Sequence, residues 1–89
     1  MAHDIEVVWA RIGRHEGETF HQKRGQAFTY EVLGSYLVPS TTDWNLAKAE
    51  FRKALEYVPL NGPGEINHLQ GPSYLYGILM DRRISNGEW

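Results

Sequence analysis

Four titratable side chains crowd into seven residues, His15, Glu16, Glu18 and His21. Imidazole and carboxylate groups can ligate a metal or trade protons, but two or three must converge on one point. His15 and His21 are six residues apart. That interval matches neither the i, i+4 pair of a helix nor the i, i+2 pair of a strand. The segment reads instead as a solvated connection between a helix end and a strand start. A hydrolase built on His15–His21 is the least supported function. His21 beside Glu31 on a neighbouring strand reads as a cross-strand pair before it reads as an acid–base couple. His3 and His68 stand alone. No G-x-S-x-G, H-E-x-x-H, phosphate-loop or G-x-G-x-x-G pattern occurs. The chain is therefore read as a non-enzyme, with no catalytic or metal-binding residue and no cofactor.

Basic groups give a second lead. Lys23 and Arg24 occupy the expected tip of a hairpin, and Arg52 and Lys53 the polar face of a helix. A basic hairpin beside a basic helix is the outline of a winged-helix DNA reader. Glu31, Glu50 and Glu56 lie among these cations, and the net charge is −2, so the whole molecule does not attract phosphate. A DNA-associated regulator is the alternative reading and not the preferred one.

Aromatic residues give a third. Three Trp, five Tyr and three Phe in 89 residues must enter the core, a pocket or an interface. Trp44 and Tyr57, with Tyr74 and Tyr76, fall at the ends and flanks of two helices. They form either a ligand patch or part of a small core.

The elements that would position these groups follow from periodicity. Asp4 caps a first helix carrying Ile5, Val8, Trp9 and Ile12, ended by Gly13 and Gly17. Thr19–Gln22, Ala27–Val32 and Tyr36–Val38 read as three strands joined by the turns Lys23–Gln26 and Leu33–Ser35. Phe28, Tyr30 and Val32 alternate with Thr29 and Glu31. Ser40–Asn45 supplies candidate caps for a second helix, about Ala47–Tyr57, which buries Phe51, Ala54, Leu55 and Val58 and stops at Pro59. In the irregular stretch Pro59–Gly71, Leu60, Ile66 and Leu69 staple the loop to the core.

Gly71–Ile84 reads as a third helix with two apolar stripes. Leu75, Ile78 and Leu79 form one. Ser73, Tyr76, Gly77, Met80 and Ile84 form the other, roughly opposite. A helix that is apolar on both sides must be sandwiched, inside the domain or against a partner. Mid-helix glycine costs about 1 kcal/mol relative to alanine, so a second backbone should approach Gly77. The expectation is a homodimer with Tyr76, Gly77, Met80, Ile84 and Tyr74 at the interface.

The whole is one α+β domain, residues 1–89: a three-stranded antiparallel meander with three packed helices, in the order α-β-β-β-α-α. A chain of 89 residues allows no second domain. Cysteine is absent, which fits a reducing cytoplasm. No signal peptide is seen, and no stretch approaches the ~20 apolar residues of a membrane span.

The segments GQAFTYEV (25–32), PSTTDWNLAKAEFRKALEYVPLNGPGEI (39–66) and GPSYLYGILMDRRI (71–84) resemble a group of small uncharacterised bacterial proteins. The short, cysteine-free form is similar to the products of mobile gene cassettes. The likeness spans about Ile5–Ile84 and assigns no role to any residue. A small interaction protein, binding itself, another protein or a small molecule, is the function expected.

Overall fold

In the computed structural model, which describes residues 3–89, helix α1 (Ile5–Arg14) begins where Asp4 accepts a hydrogen bond from the Glu6 amide at 2.9 Å. Its buried stripe includes Val8 and Ile12. The chain then forms β1 (Phe20–His21), β2 (Ala27–Phe28), β3 (Tyr30–Leu33), β4 (Tyr36–Pro39) and β5 (Leu46–Ala47). Helix α2 (Lys48–Ala54) follows, then a single 3₁₀ turn (Pro63–Ile66), α3 (Pro72–Leu79) and α4 (Arg82–Ser85). The α+β class and a three-stranded antiparallel sheet are as the sequence implies.

The strands group differently from the expected meander. The run Ala27–Val32 breaks at Thr29. β1 and β2 form a two-stranded ribbon of their own, and the three-stranded sheet is β3-β4-β5. β5 escapes sequence reading because it is two residues long and leads straight into α2. Ala47, with no side-chain acceptor, stands at the N-cap of α2, so none of Ser40–Asn45 serves there. At Thr29 the ladder is handed to Ser40, whose hydroxyl accepts from the Thr29 amide at 3.0 Å.

The expected third helix is two helices. The Asp81 carboxylate accepts from the Arg83 amide at 2.9 Å and starts α4 afresh, leaving Met80 to end α3. An aspartate late in an apolar run competes for backbone donors as a cap does.

The core joins all these parts. Phe20, Phe28, Tyr30, Leu37, Leu46, Phe51, Leu75 and Ile78 are buried together. Leu60, Ile66 and Leu69 are buried as well, so the irregular stretch is stapled as expected. The terminus is docked: Trp89 donates to the Leu79 carbonyl at 2.7 Å, and buried Arg11 makes a two-pronged bond to Glu88 and a third to the Ile84 carbonyl. Among the described residues no helix is long and apolar enough to cross a membrane.

Candidate functional site

The acidic–imidazole segment packs along a sheet edge. β3 is an edge strand, with backbone groups of Tyr30 and Val32 turned away from β4. Gly17 donates its amide to the Tyr30 carbonyl at 3.1 Å, and Glu16 accepts from the Val32 amide at 2.6 Å. The segment thus closes an edge that would otherwise invite strand addition. His15 bonds Glu18 at 3.0 Å, and Glu18 also receives Arg83 at 3.0 Å. These two contacts hold the Glu18 carboxyl below its ordinary value of 4.5. His21 pairs with Ala27 and Glu31 with Val38, so the two lie in different sheets and form no cross-strand pair. Among the described residues no three His, Asp or Glu side chains converge as a metal site would need.

Arg83 does similar joining work. Its guanidinium lies 3.9 Å from the centre of the Phe20 ring, donates to the Thr19 carbonyl at 2.7 Å and pairs with Asp81. The bond from Arg83 holds the Asp81 carboxyl below its ordinary value, and that pairing pushes the Arg83 guanidinium upward.

Two of the four cations singled out for nucleic acid are engaged within the chain. Lys23 donates to the Asn61 carbonyl at 2.6 Å and lies 6.0 Å from the centre of the Tyr76 ring. Lys53 pairs with Glu50 at 3.1 Å. Arg24 and Arg52 are exposed. The hairpin that carries Lys23 and Arg24 precedes α2 in the chain, and α2 spans only seven residues.

The aromatics do not gather into one patch. Tyr57 meets His68 edge-on at 5.3 Å. Tyr74 meets Phe28 edge-on at 5.0 Å and shares a hydrogen bond of 2.6 Å with Thr41. Trp44 is exposed in the connection before β5.

The second stripe of the third predicted helix is spent inside the chain. Ile84 is 0% exposed. Gly77 is buried against β1: a Cβ placed there would stand 2.6 Å from the His21 carbonyl oxygen. The close backbone approach expected at Gly77 exists, but its source is the chain's own β1. Met80 sulfur accepts from the Leu60 amide at 3.3 Å. Gly77 and Ile84 are therefore buried within the chain itself, and Tyr74, Tyr76 and Met80 are half-buried. The β1–β2 ribbon covers this stripe at Gly77.

An uncovered apolar surface lies elsewhere. In the β3-β4-β5 sheet, Tyr30, Leu37, Pro39 and Leu46 point to the core, and Val32 is half-buried beside them. By alternation, Glu31, Leu33, Tyr36, Val38 and Ala47 share the outer face. The ladder sets Leu33 opposite Tyr36, and Tyr36 opposite Ala47. An antiparallel sheet with one solvated face normally carries polar residues there. Four of these five positions are apolar, with Leu33 58% and Tyr36 50% exposed.

The surface continues past the β3–β4 turn into a groove of about 420 Å³. Ile5, Ser35, Tyr36, Ala47 and Ala49 line it, with Glu6, Lys48 and Arg52. Lys48 reaches both oxygens of Glu6 at 2.8 and 2.7 Å, an exposed pair that joins α1 to α2 beside the groove. Past Ile5 and Arg52 a second hollow of about 660 Å³ follows, with Leu55 and Glu56 among its lining. Sequence reading misses Leu33, Tyr36 and Ala47 as a face because the turn signal claims Leu33 and helix periodicity claims Ala47. The signal is present in the alternation: once Tyr30 and Val32 face inward, Leu33 must face out.

Comparison with models of known families, with curated proteins and with solved structures finds no match.

Proposed function

We propose that the chain is a binding protein that acts by contact with another polypeptide. Its working surface is the outer face of β3-β4-β5 together with the adjoining groove. One observation carries the reading: apolar Leu33, Tyr36, Val38 and Ala47 occupy the positions that a water-facing sheet gives to polar residues. Contiguous apolar surface of this kind marks interaction sites. Tyrosine suits such a role, since a ring with two torsions buries much area at small entropic cost. The partner docks on the face and not on an edge. The β3 edge is closed by Glu16 and Gly17, and β5 offers only two residues. No reaction is assigned to the protein. The proposed setting is the cytoplasm, with which a cysteine-free chain is compatible.

A photo-crosslinking phenylalanine analogue in place of Tyr36, irradiated in the producing cells, tests the reading. A discrete adduct that disappears when Leu33→Glu is added supports it. An adduct pattern no different from that of the same probe at exposed Arg14, on the end of α1, overturns it.

A further inference from the structure

We propose that the occupant of this face is a second copy of the chain, related by a two-fold axis near Tyr36, with Glu31 of each protomer meeting Arg52 of the other. The inference rests on the outer face being the docking surface, and it adds the identity of the partner.

Charge and order along the face carry it. Reading across the ladder, the face runs from Glu31 and Leu33 on β3, through Tyr36 on β4, to Ala47 on β5, and then to Arg52 on α2. An anion stands at one end, a cation at the other, and the exposed tyrosine lies between them. A two-fold rotation about the middle exchanges the ends, so each acid meets a base and the apolar centre meets itself. That is the condition for an isologous contact. Both charges are open to such use. Glu31 and Arg52 are exposed, and neither has an ion-pair partner among the described residues, whereas neighbouring Lys48 and Lys53 are both paired within the chain.

Area points to the same extent of surface. A stable contact takes about 800 Å² from each partner, about a sixth of this chain's 5156 Å². Strands of four, four and two residues offer a face of at most roughly 14 × 14 Å. The contact must therefore run on over the groove, whose rim carries Arg52. A face-to-face arrangement also leaves both sheet edges as they are, in keeping with the closed β3 edge.

Sedimentation equilibrium on the full chain decides it, with wild type, Glu31→Arg, Arg52→Glu, the double variant, and an equimolar mixture of the two single variants. Circular dichroism confirms folding, and Leu33→Glu serves as an independent disruption at the apolar centre. The wild type is expected to be dimeric at about 100 µM. Each single reversal sets like charges opposite one another and should weaken association by about tenfold or more. The double variant should recover to within about threefold of wild type, since every contact is again of opposite sign. The mixture should form a heterodimer. In it a protomer carrying Glu31→Arg meets one carrying Arg52→Glu, and both end contacts again join opposite charges. A wild type that stays monomeric, single variants that associate like wild type, or a double variant that fails to recover would each overturn the inference. The Tyr36 crosslink separates this from failure of the wider reading. An adduct of twice the chain mass supports the second copy. An adduct of any other mass overturns the second copy and leaves the docking face standing.

Discussion

Replacing Gly77 by alanine sets two effects of known size against each other. In a helix interior the change from glycine to alanine is worth about 1 kcal/mol in favour of folding. At Gly77 the added methyl would stand 2.6 Å from the His21 carbonyl oxygen, and 3.2 Å from both the His21 carbonyl carbon and Phe28 Cε1. Ordinary contact requires the oxygen to retreat by roughly 0.8 Å. That oxygen belongs to the backbone of β1, whose partner strand β2 holds Phe28 against Tyr74. Relief thus moves a hairpin and not one flexible side chain. Overpacking of this kind costs about 1–3 kcal/mol, and more where backbone resists. Because the close contact is with backbone, the cost falls in the upper part of that range, and the net expectation is a loss of about 1–2 kcal/mol, a fall in urea midpoint of roughly 1 M for so small a domain. Gly13 supplies the control. It lies in α1 with nothing beyond its own helix backbone and chain neighbours within 4 Å of its ideal Cβ, so Gly13→Ala should be neutral or stabilising by up to about 1 kcal/mol. Urea unfolding followed by far-ultraviolet circular dichroism reads both. A Gly77→Ala protein as stable as wild type, or more so, refutes the packing of α3 on β1 and returns Gly77 to the surface.

Other expectations follow from the same packing. Phe51, fully buried beside Trp9 at 5.4 Å, should cost on the order of 3–5 kcal/mol when changed to alanine, and a loss under about 1 kcal/mol in urea titration would misplace α2. In dilute protein, below the association midpoint, Leu33→Lys should leave folding stability within about 0.5 kcal/mol of wild type, since Leu33 is 58% exposed; a large loss there would mean that the outer face is covered in the folded chain. Acid should weaken the fold through carboxylates held down by their partners: Asp81 beside Arg83, Glu18 beside His15 and Arg83, Glu88 beside Arg11, and Glu50 under the Gln70 amide. A carboxylate with a depressed folded value stabilises above its unfolded value, about 4.3 for glutamate and 3.9 for aspartate. That contribution is lost as pH falls through the folded value, so urea midpoints should drop progressively below about pH 4.5; midpoints that rise on acidification would contradict these pairings.

Much of the architecture is legible in the sequence because periodicity reports burial directly. The stripe Ile5, Val8, Trp9, Ile12, the alternation of Phe28, Tyr30 and Val32, and the charge-free face around Phe51 each place an element and its inward side. What is not legible is how the elements associate. Whether Ala27–Val32 is one strand or two depends on the Ser40 hydroxyl at Thr29, a contact between residues 11 apart. Whether the second stripe of α3 is open depends on where the β1–β2 ribbon folds, and no local pattern specifies that. Asp81 illustrates a signal easily passed over: an aspartate followed two residues later by a free backbone donor is a cap wherever it falls. The apolar outer sheet face escapes for a related reason. Helix amphipathicity points to α3, while the apolar surplus sits on a short sheet whose third strand has only two residues. The acidic–imidazole segment, the first place to look for chemistry, closes a strand edge.

The outer face itself can be observed residue by residue with a soluble paramagnetic relaxation agent in methyl and aromatic nuclear magnetic resonance spectra. Leu33, Tyr36 and Ala47 are compared with inward-facing Leu37 and Leu46 on the same strands. In dilute protein the three outer residues should be strongly broadened and the two inner ones spared. Raising the protein concentration through the association midpoint, on the order of micromolar for a contact of standard size, should relieve the broadening at Leu33 and Tyr36 and leave exposed Ala10 on α1 unchanged. Broadening of Leu33 and Tyr36 no stronger than that of Leu37 in the dilute chain, or relief that appears at Tyr76 and Trp44 instead, would contradict the assignment of this sheet face as the surface through which the protein binds.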